Sequence, residues 1–516
     1  MPLLHQPQQL LCLSVTAASR MIINHTLTMP DAKQEARIRR LVVTLVPPPL
    51  LQDLLRSVLR QLSLTHSQHA SPAIITSLLR ILTHPRITEL QLSDLSYLGS
   101  VEHETLEKME SALIQLLPSM TKLTHLDMST HLNKTTLPSC SSEVLQVLGY
   151  SCPNLRHLNL NHNNRVTSEG LLYLYPTDFH PGCIKLENLF IQDCSIEPED
   201  VAMLINFFPN LKLIGYKELG TSIQMLKSQP RKFGRKKKKC QYSLKLTHID
   251  NTMSRVQRCD GDIVDFVCET CPDVENLKVR VCDEDVGGLG KLPNLSHLEL
   301  RFYTGVHHPI GSSTINHFVS HGSSLSSLTI YCHSLESHHV RIIAENCHNL
   351  SKLFLHANLA SVNSPLESSS NKLQKLEVLS LRLGNDELVM SPAACELVLF
   401  LVDGKQLLQE LFLLVRSPGI THGFINTLLA ANPLPHVKTL IIDVPRRTLV
   451  APMLDLGLET AYLLINTCPS LHILGNLICW NVTHHQVAEL QAMKKLLNYN
   501  LTILNAQSNR IHHKLL

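Results

Sequence analysis

Aromatic side chains are scarce in this 516-residue chain: Phe, Trp and Tyr make up 4% of it, and tryptophan occurs once, at Trp480. A core built on large rings is therefore excluded, and aliphatic side chains have to do the packing. An excess of either charge is also lacking. Lys and Arg number 46 against 43 Asp and Glu, a formal net charge of +3. That balance does not point to nucleic acid, a membrane surface or an acidic substrate as the global partner. No apolar run approaches the roughly 18 residues of a membrane span. The apolar stretch at 10–15 has no Lys or Arg before it, which argues against a secretory leader. The glycines form neither a phosphate-cradling Gly-x-x-x-x-Gly-Lys loop nor a Gly-x-Ser-x-Gly elbow, and no carboxylate pair is placed for one cleft. The expectation is a protein that is not an enzyme and holds no cofactor or metal.

What the chain does have is leucine in a fixed rhythm. Between Cys152 and Asn163 the residues Leu155, Leu158, Leu160 and Asn163 spell Leu-x-x-Leu-x-Leu-x-x-Asn, the signature of a leucine-rich repeat. The three leucines should face one interior, and Asn163 should satisfy backbone groups at the turn after the strand. Thr167 reads as the N-cap of a following helix whose apolar face is Leu171, Leu172 and Leu174. One strand and one helix cannot bury that face alone, so copies must stack on one another. About fifteen copies follow the same spacing, from Ile87/Leu90/Leu92 to Leu501/Leu504. They include Leu211/Leu213/Ile214, Leu244/Leu246 and Leu471/Leu474. Their spacing of roughly 21 to 36 residues leaves room for a helix on the convex side of each repeat. Helices are expected at 142–149, 198–207, 262–269, 337–346, 393–402, 423–430, 459–466 and 485–496.

The predicted fold class is thus α/β: a leucine-rich-repeat solenoid, or horseshoe, with a parallel concave sheet, convex helices and a helical N-terminal cap. Residues 1–86 form the cap, 87–505 the solenoid with a basic insertion at 229–240, and 506–516 a tail. The Ser-rich interval 358–371 reads as a loop, and the irregular interval 213–246 is where the solenoid could divide. Polar residues between the leucines should line the concave face, the expected site of a protein substrate: His125, Asp127, Asn159, Asn161, Gln192, Glu299, Arg301 and Arg382, with Thr329 and Ser380. Their mixed signs favour a protein over nucleic acid, and no membrane partner is expected.

The repeats resemble the cysteine-containing leucine-rich repeats of F-box and related substrate receptors of cullin–RING ubiquitin ligases. The resemblance is carried by Cys-Pro-Asn-Leu at 152–155, Cys-His-Asn-Leu at 347–350, Cys-Pro-Ser-Leu at 468–471 and Leu-x-x-Leu-x-Ile-x-x-Cys at 186–194, and it covers about residues 87–505. It implies a non-catalytic substrate-recognition subunit, cytoplasmic or nuclear, that docks an elongin or Skp-type adaptor and a cullin. Elongin-binding receptors carry a helix with a Leu, a Cys four residues on and then an aliphatic residue. Leu10 and Cys12 resemble part of it, with Gln8 and Thr16 where the Leu and the aliphatic residue would stand. The cullin-contacting pattern aliphatic-Pro-x-x-aliphatic-x-x-x-aliphatic is met by Val46, Pro47, Leu50 and Leu54. The same stretch also resembles the start of an F-box helix. Cap alone, elongin–cullin docking and F-box stand as three readings of this segment. The alternative to a ligase subunit is a non-ligase scaffold or inhibitor-like binder using the same face.

Two further features carry a chemical reading beside a plain one. Arg235, Lys236, Lys237, Lys238 and Lys239, within a dense basic run at 231–239, are a nuclear import candidate, a phosphate-contacting loop or a solvated, self-repelling loop. The 15 cysteines are scattered; Cys152, Cys271, Cys347 and Cys468 open repeats and should be buried free thiols rather than disulfides. Cys268 and Cys271, with Cys259 and Cys282, are four sulfurs near in sequence, but the helical and repeat placement of the first two favours burial over zinc. The His pairs at 307–308, 338–339, 484–485 and 512–513 read as surface residues.

Overall fold

The computed structural model describes residues 7–28, 32–65, 72–93, 95, 103–130, 140–208, 210–228, 244–250, 261–302, 310–362, 366, 371–383, 393–415, 420–444, 454–496 and 500–504. The chain divides into two compact units, Met1–Arg255 and Val256–Leu516.

The first unit opens with four helices: α1 (Pro7–Thr28), α2 (Ala32–Leu45), α3 (Pro48–Thr65) and α4 (Pro72–Leu82). Prolines fit the first turn of α3 because its N–H groups have no intrahelical acceptor. Leu51, Leu54, Leu55, Val58, Leu59 and Leu62 recur at helical spacing and are all at most 3% exposed. α1 packs against α3 and α2 against α4. Six strands follow: β1 (Glu89–Gln91), β2 (His125–Asp127), β3 (His157–Asn159), β4 (Asn188–Phe190), β5 (Leu213–Gly215) and β6 (His248–Asp250). Each pairs in parallel with the next. The side chain that points inward from each, Leu90, Leu126, Leu158, Leu189, Ile214 or Ile249, is at most 2% exposed. A sheet edge presents unpaired N–H and C=O groups. At β1 the Gln52 carboxamide of α3 meets them: its oxygen accepts from Thr88 N (3.3 Å) and Glu89 N (3.2 Å), and its nitrogen donates to Glu89 O (2.6 Å). Arg56, one turn on, reaches the Glu89 carboxylate at 2.6 Å.

The second unit carries β7 (Asn276–Val281), β8 (His297–Phe302), β9 (Ser327–Glu336), β10 (Lys352–Ser361), β11 (Val378–Leu383), β12 (Glu410–Val415), β13 (Thr439–Asp443), β14 (Ile473–Gly475) and β15 (Thr502–Ile503). Again each strand pairs in parallel with its sequence neighbour. β7 to β12 are six to ten residues long, against three in the first unit, so each offers further outward positions. Helices at Ser337–Asn346, Ala393–Val402, His422–Ala431 and Leu458–Thr467 connect successive strands. Both units are α/β leucine-rich-repeat solenoids.

The turns explain the signature. Asn163 is 5% exposed; its Oδ1 accepts from Cys140 N at 3.1 Å, and its Nδ2 donates to Met128 O at 2.8 Å and Leu160 O at 3.0 Å. One repeat later Cys194 holds the same slot. Its thiol donates to Leu160 O at 3.2 Å, the carbonyl equivalent to that of Met128. Thr167 accepts from Gly170 N as an N-cap. At Gly149 a Cβ would lie 1.8 Å from Tyr173 O, so only glycine lets the helix Ser142–Ser151 approach the neighbouring repeat.

Several expectations change. Leu172 is 51% exposed, so the buried face there is Leu171 and Leu174. In β5 the inward residues are Leu211 and Ile214, with Leu213 turned half outward. Leu246 and Ile249, not Leu244 and Leu246, fill the β6 repeat, because spacing three apart puts both on the inner face. Leu471 is only half-buried. Residues 358–361, read as loop, extend β10 alongside β9, with Leu359 opposite Ser334 and Ser361 opposite Glu336. The division between units falls after Arg255, not within 213–246.

Candidate protein-interaction faces

In a strand, alternate side chains point to opposite faces. The residues between the buried leucines therefore form registered rows on the outward side of each sheet. In the first unit one row is Glu89, His125, His157, Asn188, Leu213 and His248; the next is Gln91, Asp127, Asn159, Phe190 and Gly215. His125 and His157 stack at 5.6 Å between centroids, and His157 meets Phe190 at 5.2 Å. A Cβ at Gly215 would lie 2.5 Å from the Phe190 ring, so the missing side chain is the seat of that ring. Burial, then the His125 charge, lowers the His157 pKa against the opposing pull of Asp127.

Several polar groups of this face are already committed to the turns. Asp127 accepts from Ser129 N at 2.9 Å and Ser129 Oγ at 2.7 Å. Asn159 accepts from Asn161 N at 3.2 Å, and Asn161 in turn accepts from Gln192 N at 2.7 Å. At the end of this ladder Asp193 meets Lys217 at 2.9 Å and His162 at 3.1 Å. Burial raises the Asp193 pKa, but Lys217 and His162 outweigh it and the net shift is downward.

In the second unit the third outward row reads Arg280, Arg301, Tyr331, His356 and Arg382 on five adjacent strands. The Arg301 guanidinium sits over the Tyr331 ring at 4.4 Å, and His356 stacks on it at 4.3 Å. Glu299 binds Arg301 at 2.7 Å and lies 3.9 Å from Lys278. Burial raises the Tyr331 hydroxyl pKa and Glu299 adds to that, while Arg301 and Arg382 act against it. Beyond β11 the face turns apolar. Phe412, Leu414 and Ile441 point outward between the repeat leucines, yet are 4%, 5% and 3% exposed, with Val378 and Leu504 packed against them. Every residue of β13 is buried. Among them Asp443 accepts from Val444 N and the Cys479 thiol and meets Asn476 Nδ2.

The eight face residues expected from the sequence thus fall into two groups. His125, Asp127, Asn159, Asn161 and Gln192 lie together in the first unit, with Asn161 and Gln192 in the turns after their strands. Glu299, Arg301 and Arg382 lie in the second. Arg382 is exposed, while Ser380, beside it on the same strand, is fully buried. Sequence reasoning missed His157, Phe190, Arg280, Tyr331 and His356, although the same alternation, extended two residues along each strand, would have found them.

Of the adaptor-docking residues, Cys12 and Pro47 are exposed and Val46 and Leu50 half-buried. Leu10 lies on α1, its side chain outside the described set. Leu54, 2% exposed, is spent on the packing of α3 and offers no surface to a partner. The import candidates Arg235–Lys239 lie outside the described residues, as do His307, His308, His512, His513 and Cys259. Cys152, Cys271, Cys347 and Cys468 are at most 1% exposed. Burial pushes the thiols of Cys268 and Cys271 up to about 11, a state of inert packing groups. Cys282 departs from the expected free thiols: it is disulfide-bonded. His339, read as a surface residue, is 3% exposed because its ring turns inward to accept from Glu336 N. Among the described residues no three His, Cys, Asp or Glu side chains gather as a metal site, and no helix is long and apolar enough to cross a membrane.

No family profile and no curated protein matches the chain. Among solved structures, a chain of the yeast Rad7–Elc1 complex is 15% identical with a TM-score of 0.39, covering 89% of this chain and 94% of that one. A leucine-rich-repeat protein of Leptospira interrogans is 15% identical with a TM-score of 0.29, covering 78% and 92%. Likenesses this distant carry no functional weight; the fold rests on the registered parallel strands themselves.

Proposed function

We propose that the chain is a protein-recognition subunit, and specifically the substrate-recognition subunit of a cullin–RING ubiquitin ligase. In this reading the outward sheet faces hold the target, residues 7–60 dock an elongin or Skp-type adaptor and cullin, and no residue of the chain performs chemistry. In the same reading residues 1–86 serve as the cap, 87–505 as the repeats that present the target-binding faces, and 506–516 as a tail. The observation that supports the docking part is the number of large aliphatic side chains that the N-terminal helices leave exposed. α3 turns its leucines inward, yet α1 leaves Leu11, Leu13 and Met21 at 47%, 57% and 73% exposure, and α2 leaves Leu41 and Leu45 at 51% and 73%. These exposed aliphatic side chains are available to a partner that would cover them. The cysteine-containing repeats add the resemblance described above.

The test is a pull-down of the intact protein. It should capture an elongin or Skp-type adaptor with a cullin, and Leu11→Ser, Leu13→Ser and Leu45→Ser together should abolish that capture without altering the melting temperature. A pull-down containing no adaptor and no cullin would leave the non-ligase scaffold. One observation favours that second reading: the burial of Leu54 and the pairing of Gln52 with the β1 edge are what a cap alone requires.

A further inference from the structure

The third outward row of the second unit combines guanidinium groups with aromatic rings. It places Arg280, Arg301, Tyr331, His356 and Arg382 in register on β7 to β11. Neighbouring strands lie about 4.8 Å apart, so the row is roughly 19 Å long, the length of about six residues of extended chain. Three guanidinium groups stand along it, and the Glu299 carboxylate is held by Arg301 at 2.7 Å. The ring between them is fixed on both sides, by Arg301 at 4.4 Å and His356 at 4.3 Å. A stack of this kind holds Arg301 in place and reduces the entropy lost when it meets a ligand.

We propose that this row is the docking line for an extended acidic segment of a partner protein, with Arg280 and Arg382 as the end anchors and Arg301–Tyr331–His356 as the rigid centre. The proposal rests on the protein-recognition reading above and names the chemistry of the partner. Charge complementarity supplies the attraction: carboxylates take guanidinium groups in paired hydrogen bonds. Single-stranded nucleic acid fits less well. Its bases need open aromatic faces for stacking, and here Arg301 and His356 occupy both faces of Tyr331.

The experiment uses the full-length protein and a fluorescent peptide of about eight residues alternating Glu and Ser, long enough to span the row. A Lys/Ser peptide and an oligothymidylate of similar length serve as comparisons. Anisotropy is read at about 0.05 and 0.3 M salt, which bracket strong and weak screening. The Glu/Ser peptide should bind, weaken with salt, and lose about tenfold or more in affinity when Arg280→Glu and Arg382→Glu are combined. The reversed protein should in turn gain affinity for the Lys/Ser peptide. Arg382→Gln provides a milder variant, with the circular dichroism spectrum and melting temperature as the folding check. Three results would each overturn the proposal: no binding of the Glu/Ser peptide, binding unchanged in the folded reversed variant, or tighter binding of the oligothymidylate that the same substitutions abolish. If the peptide result fails while the pull-down still yields adaptor and cullin, the recognition reading stands and only this row loses its role.

Discussion

At the residue scale, the polar groups that matter most to this fold are those buried in its turns. Asn163 makes four side-chain hydrogen bonds to backbone groups and joins two repeats; Cys194 does part of the same work one repeat on, with a weaker donor. His317 is the opposite case. It is 5% exposed, and neither ring nitrogen has a hydrogen-bond partner. Burial, reinforced by His321 stacked at 5.2 Å, lowers its pKa to about 4. The folded protein therefore binds this proton less readily than the unfolded chain does, whose value is near 6.5. Stability from this group is fully present above pH 6.5 and is lost as the pH falls from there towards 4, on the order of 2–3 kcal/mol in all. In His317→Phe, unfolding midpoints measured across that interval should fall less steeply than in the wild type. Parallel slopes would mean that the imidazole does not titrate as its burial implies.

At the element scale, α3 is the piece on which the first repeats depend. Its leucines close one end of the core, and Gln52 satisfies the open edge of β1. Gln52→Ala should cost about 1–3 kcal/mol, the usual penalty for unpaired backbone groups. The specific sign is local: amide exchange at Thr88 and Glu89, whose N–H groups Gln52 accepts, should speed up more than that of β2. A uniform change would point to general loosening of α3. The helices themselves were largely legible in the sequence. The helices expected at Pro198–Phe207, Ser337–Asn346 and Ala393–Val402 have the same bounds in the structure. The strands were legible through Leu-x-x-Leu-x-Leu, and failed where the pattern offered two frames, as at Leu244/Leu246 against Leu246/Ile249. Periodicity alone cannot choose between frames; burial against the neighbouring repeat does.

At the scale of the whole molecule, the chain is two compact solenoid units whose outward faces differ in chemistry. The first presents histidines and Phe190 on three-residue strands; the second presents a basic, aromatic row on longer strands and then an apolar, buried stretch from β12. One function proposed from sequence belongs to this scale. If residues 231–239 act as an import signal, replacing Arg235–Lys239 with neutral residues should move a fluorescently tagged protein out of the nucleus. An unchanged distribution would leave a solvated loop.

The sequence by itself determined the architecture. A leucine triplet repeated about fifteen times can bury its apolar face only by stacking, and nothing else in so ring-poor a chain could supply a core. It also determined which faces are outward, because strand alternation is a property of the backbone. Only the tertiary structure decided what those faces can bind. Successive members of the row Arg280, Arg301, Tyr331, His356 and Arg382 are 21 to 30 residues apart in the chain, and parallel register alone makes them neighbours. The structure likewise decided that Leu54 is core and that Phe412 and Ile441, outward by alternation, are buried, since burial depends on what lies across from a side chain and not on its place in a repeat.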